Sequence, residues 1–205
     1  MEHETLRDAE RKLLVIDALA DIVTNKPLKE VSVADVCQKA ELSRSAFYRM
    51  FSGIQDAVLW HRNYGAELGL YQIGRTLTCC EGHLVSVSLI AAAKPLYAAR
   101  ASSKAGDEAV FRGATTRGHV QAMSDVLTRR CISISPRIAY TLEGVAASCY
   151  ATVAHWIANG MDLSADEFAG ILADAYPARL REVFDRPLTP NTSTAVMRLL
   201  GAMGQ

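Results

Sequence analysis

The chain has no surplus of either charge, with Lys+Arg and Asp+Glu at 22 each over 205 residues. A general attraction to polyanions is thereby excluded, so any nucleic-acid surface must come from the placement of cations. The first 52 residues carry no excess of basic side chains either. Cysteine is scarce: five, an odd count without regular spacing, excludes a disulfide framework and favours a reducing cytoplasm. Apolar runs such as Leu84 to Ala93, with its two serines, are too short to span a bilayer. The N-terminal MEHETLRDAERK lacks a basic start followed by an apolar core, so no secretory signal is expected. Also missing are GxSxG, HExxH and any phosphate-cradling glycine loop, so no enzyme and no cofactor is expected.

What is present is apolar and helical. Half of the residues are hydrophobic at a mean hydropathy of +0.08, which is ample for a core. No alternating strand pattern lasts long enough to count, so the expected fold class is all-α. Leu13, Ile16, Ala20 and Val23 space a first helix from about Glu4 to Thr24, closed by Asn25-Lys26-Pro27. A long helix is expected from Ile54 to about Thr78, carrying Val58, Leu59, Leu68 and Ile73, interrupted by Gly65, Gly69 and Gly74. Segments follow near Leu84–Ser102, with Pro95 as a kink, then Asp107–Gly113 and Thr115–Cys131. Ser135-Pro136 starts a helix that runs to Ala158 and stops at Asn159-Gly160. Ser164 and Glu167 form a capping box for a segment burying Phe168, Ile171, Leu172 and Ala175, before Pro177 interrupts it. DRPLTPNTST after Phe184 reads as a linker, followed by a short apolar stretch at Val196–Met203.

The most informative stretch is SVADVCQKAELSRSAFYRMF, residues 32–51. It reads as a short amphipathic helix, a tight turn and a second short helix, the plan of a helix-turn-helix. Ser32 caps the first helix with Asp35 at its third position, and Val33, Val36, Cys37 and Ala40 make one buried stripe. Glu41 and Leu42 turn the chain, and Ser43 caps the second helix. Phe47 and Phe51 anchor its inner face, leaving Arg44, Ser45, Tyr48 and Arg49 outward. A groove-reading helix needs that division between a held side and a reaching side.

On these residues the chain resembles the tetracycline-repressor (TetR) family. The carrying features are Val36-Cys37 and Ala40, Leu42-Ser43-Arg44 at the turn, then Phe47-Tyr48 and Phe51, over roughly residues 10–60. Trp156-Ile157-Ala158-Asn159-Gly160-Met161 looks like part of the C-terminal domain of some members. Three positions depart from the family pattern: Glu41 where a small residue is usual, Ala46 where Thr is common, Ile54 where Lys is usual. The resemblance implies a homodimer on a palindromic double-stranded DNA operator, with half-sites about one turn (~34–36 Å) apart. It implies DNA contacts from Ser32, Ser43, Arg44, Ser45, Ala46, Tyr48 and Arg49, with Lys29 and Lys39 flanking. Its domains would be 1–52 for DNA, 53–185 for effector binding and dimerisation, and 186–205 as a flexible tail.

The larger half would bind a small-molecule effector of unidentified chemistry. Candidate contacts are Trp60, Tyr64, Tyr97, His119, Met123 and Tyr150, with Tyr71, Phe111 and Trp156 also considered. Each of these side chains could equally be core. Ala139, Leu142, Ala146, Cys149 and Val153 suit close helix packing, either between subunits or within one. Cys79, Cys80 and His83 form the one metal-like string, without the second ligand pair a structural zinc site wants, and Cys37, Cys131 and Cys149 read as filler. The expected function is a cytoplasmic DNA-binding regulator, a repressor released by its effector. The alternatives are a helical adaptor dimer in which Glu41, Ala46 and Ile54 record lost DNA recognition, and a helical enzyme.

Overall fold

A computed structural model describes residues 6–102 and 108–189. Ten α-helices account for most of these residues: α1 Leu6–Ile22, α2 Val33–Lys39, α3 Arg44–Met50, α4 Ile54–Leu68, α5 Cys79–Ala92, α6 Lys94–Ser102, α7 Glu108–Arg129, α8 Pro136–Ala158, α9 Ala165–Asp174 and α10 Ala178–Phe184. Among the described residues there is no named strand, only an isolated bridge between Ile73 and Leu77. The fold is all-α. No single described helix is long and apolar enough to cross a membrane.

The chain divides into two compact units, Met1–Asn63 with Ala92–Ala105, and Tyr64–Ala91 with Gly106–Gln205. The first unit reaches past residue 52 and takes α6 from later in the chain. Its core is the inner face of α1, with Val15, Ile16 and Leu19 almost wholly buried, against Val36, Phe47, Ala57 and Val58. Helix α6 packs on α1 and on the 3-10 turn Leu28–Glu30, sinking Leu96 and Tyr97. Tyr97 is bonded there to a buried histidine, His61 Nδ1 to Tyr97 Oη at 2.9 Å. Burial pushes His61 down to about 4, so it is a neutral imidazole at pH 7.

The second unit holds α5 and α7 to α10. The helix expected to run from Ile54 to Thr78 stops at Leu68, because two glycine backbones meet there. A Cβ on Gly69 would lie 2.3 Å from the Gly82 carbonyl oxygen, and one on Gly82 2.3 Å from Ile73. Ser86 Oγ accepts from the Leu70 N–H at 2.8 Å and donates to the Gly65 carbonyl at 2.9 Å, satisfying groups the broken helix leaves open. Gly74 then turns with φ +74°, and Thr78 with Glu81 caps α5. Two other boundaries differ from the sequence reading. Helix α5 ends at Ala92, so Pro95 sits in the first turn of α6, where its missing N–H costs nothing. Helix α7 runs unbroken through Gly113, while Asp107 lies outside the described residues, as do Glu4 and Val196–Met203.

Helix α8 has the expected bounds, with Ser135 Oγ accepting from the Ile138 N–H and Pro136 at the first position. Its stripe Leu142, Ala146 and Cys149 is buried within this subunit, with Ala139 and Val153 half-buried. The opposite face is the open one: Tyr140 is 80% exposed, and Gly144, Ala147, Ala151, His155 and Ala158 follow it at three- and four-residue steps. In α9 the capping box forms, and Phe168, Ala169, Leu172 and Ala173 are buried. Ile171 and Ala175, expected inward, are exposed, since the buried stripe of this helix runs one position away. Trp156 stacks on Phe168 with ring centroids 4.4 Å apart and donates to the Leu163 carbonyl. Of the expected tail, Leu188 and Thr189 donate backbone bonds to the Gly74 and Arg75 carbonyls, and 190–205 lie outside the described residues.

Candidate nucleic-acid interface

The geometry of residues 32–51 follows from two caps and one strained turn. Ser32 and Asp35 cap α2 reciprocally: the Asp35 N–H donates to Ser32 Oγ, and the Ser32 N–H donates to the Asp35 carboxylate at 2.8 Å. Lys26 Nζ adds a 2.7 Å bond to the same carboxylate, and these bonds hold Asp35 well below its ordinary value, at about 2. After α2 the N–H of Leu42 reaches the Cys37 carbonyl at 2.9 Å and that of Glu41 the Gln38 carbonyl, a Schellman ending. The residue in the left-handed position of that motif is Glu41, with φ +53°. Glycine would take this conformation freely, whereas Glu carries a cost of about 1–2 kcal/mol. The turn is thus made by ordinary geometry with an unusual residue, and the Glu41 side chain is exposed.

Ser43 Oγ accepts from the Ala46 N–H and starts α3. Phe47 is wholly buried and Phe51 almost so. Ser43, Arg44, Ser45 and Arg49 are exposed, and Tyr48 keeps 58% of its surface open, while Ala46 is half-buried. The neighbouring cations are tied down: Lys39 pairs with Asp21 at 3.0 Å and Lys26 with Asp35. Among the described residues no carboxylate pairs with Arg44 or Arg49. The surface therefore offers two unneutralised guanidiniums and a phenol side by side, chemistry suited to phosphate and guanine edges.

The six expected effector contacts are divided between the two units. Trp60 and Tyr97 belong to the first unit, and Tyr64, His119, Met123 and Tyr150 to the second. Met123 is fully buried, Tyr150 nearly so, and Tyr64 half-buried. His119 Nε2 bonds Tyr176 Oη at 2.7 Å. Around this bond lies a polar cluster that the sequence reading did not assemble. The His83 ring meets His119 and Tyr176 edge-on, and its Nε2 stands 3.9 Å from Cys149 Sγ. Burial pushes both imidazoles down to about 3 and the Cys149 thiol up to about 12. The one available signal was the four-residue step from Cys79 to His83, which puts both on the inner face of α5. Cys80 is only half-buried, and among the described residues no three His, Cys, Asp or Glu side chains are placed to hold a metal ion.

No protein-family model matches this sequence, and no curated protein does. Solved structures do match. The dihydroxyacetone kinase operon activator DhaS superposes with a TM-score of 0.62 at 16% identity, over 85% of this chain and 98% of its own. A TetR-family transcriptional regulator from Streptomyces coelicolor superposes with a TM-score of 0.53 at 16% identity, over 96% of this chain and 99% of its own. The chain shares the all-α fold of these two regulators.

Proposed function

We propose that the protein is a DNA-binding transcriptional regulator, with Arg44, Tyr48 and Arg49 as its main contacts and Ser32, Ser43, Ser45 and Ala46 lining the approach. The observation that carries this reading is the outward, unpaired pair of arginines on a capped helix whose opposite side is pinned by Phe47. A two-fold operator requires a two-fold protein. The second copy would seat on the exposed α8 face from Tyr140 through Gly144, Ala147 and Ala151, joined by Ile171 of α9. Small residues there let helices approach closely, and Gly144 has open space at its Cβ position.

The regulation proposed is repression relieved by a small effector in the cytoplasm. Tyr64, His119, Met123 and Tyr150 of the second unit are the proposed effector contacts. Trp60 and Tyr97 already have ring partners in the first unit. Release would come from an effector that binds the DNA-incompetent arrangement better, a coupling of about 1–3 kcal/mol. The test selects duplexes from a random-sequence pool with the full chain, then measures the mass of the complex. Two chains on a palindromic duplex support the proposal, and failure to enrich any sequence refutes it.

A further inference from the structure

Lys12 is a half-buried cation in the unit that carries the recognition surface, and the first expectation for such a lysine is a phosphate contact. Its ammonium is turned elsewhere. Lys12 Nζ stands 5.1 Å from the centroid of the Trp60 ring and 5.7 Å from that of Phe51, both within cation–π range. Trp60 lies on α4, and Phe51 is the C-cap of α3. Their rings touch at 5.8 Å. Phe51 continues to Phe47 at 5.8 Å, and Phe47 meets Tyr48 edge-on at 5.6 Å. One unbroken line of contact thus runs from the α1 ammonium to the phenol that stands out of α3.

Helix α3 has seven residues. Two turns cannot hold their own geometry in water, so the direction in which α3 points is set by what its inner rings rest on. Phe51 ends the helix in an extended conformation, φ −143° and ψ 141°, so the seat of its ring governs how α3 is anchored.

We infer that Lys12 is a positioning residue for DNA binding and not a phosphate contact: it clamps Trp60 and Phe51 together and so fixes how α3 presents Tyr48. This role rests on the regulator reading above. It separates cleanly from a direct contact by salt. A cation that neutralises a phosphate steepens the fall of log K with log salt by about 0.9 per contact, whereas a positioning residue changes affinity at constant slope.

The test uses the full chain and a fluorescein-labelled duplex of ~30 base pairs, long enough for two half-sites, selected by the wild type. Lys12→Met keeps the aliphatic stem and removes the charge. It should weaken binding about three- to tenfold with the slope unchanged. Lys12→Arg, which restores a cation over the rings, should return affinity to within about twofold. In a Trp156→Phe background Trp60 is the remaining indole of the two in the chain, and its emission should change on Lys12→Met without DNA. A slope lowered by about one, an unchanged affinity, or a Lys12→Arg variant as weak as Lys12→Met each overturns the role. A wild type that selects no duplex overturns the regulator reading and this role together. Binding by the wild type matched by Lys12→Met overturns only the role of Lys12.

Discussion

The two units treat their distinctive polar side chains in opposite ways. In the first, Arg44, Tyr48 and Arg49 stand in solvent on a short helix whose other side is sunk in the core. In the second, His83, His119 and Tyr176 are all but fully buried, with His119 bonded to Tyr176 and the His83 ring edge-on to both. The two arginines, exposed and with no carboxylate paired to them among the described residues, contribute little to the fold, so their arrangement is free to serve an outside partner. Buried groups must be satisfied internally or they destabilise the chain. The first unit presents this chemistry on α3, although it too encloses one bonded pair, His61 with Tyr97; the second encloses its histidines.

The largest expected effect probes the enclosed side. His83 and His119 titrate near 3 when folded and near 6.5 when unfolded. The unfolded chain therefore binds more protons between these values, and stability is complete above about pH 6.5 and falls as pH drops toward 3. Protonating either histidine in that window opposes folding, and buried His61 adds to the fall above about pH 4. Thermal melts from pH 7.5 to 5 check this: a midpoint that does not drop would mean the imidazoles are accessible to protons in the folded state.

Next is the exposed side. Replacing Arg44 and Arg49 together by Ala should weaken duplex binding by about 100-fold or more and flatten the salt dependence by up to two contacts. Melting should stay within about 0.5 kcal/mol of wild type, as for ordinary surface changes. A comparable loss of stability would show that the two arginines belong to the fold. Tyr176→Phe is the opposite case. It strands His119 Nε2 and should cost about 1–3 kcal/mol in urea unfolding, with DNA affinity of the folded protein unchanged. Glu41→Gly should have the smallest effect, a gain of at most about 1 kcal/mol, because relief at φ +53° is partly offset by glycine's greater unfolded freedom.

The same contrast governs what the sequence makes legible. The caps Ser32, Ser43 and Ser164 act within three residues of chain, so each is legible and each forms as expected. The division of α3 into an inner Phe47 and an outer Tyr48 is also a local pattern. The glycines marked this helix as interrupted, but the position of the break after Leu68 was not legible, since it depends on Gly69 meeting Gly82 of α5. The faces of α8 and α9 show the same limit. Small residues lie on both sides of α8, Ala146 and Cys149 inward and Gly144, Ala147 and Ala151 outward, so periodicity alone could not say which faces inward. The cluster of His83, His119, Cys149 and Tyr176 draws on residues up to 93 positions apart, and only packing brings them together.

The proposed regulator needs α3 to carry an operator-reading surface in duplicate. Its most direct measurement is a salt series of anisotropy titrations on a selected palindromic duplex, with wild type and Arg44→Ala side by side. An operator-reading α3 gives saturable binding of two chains per duplex, a linear fall of log K with log salt, and a slope shallower by about one in the variant. Binding that is indifferent to sequence, or identical slopes for the two proteins, would contradict it.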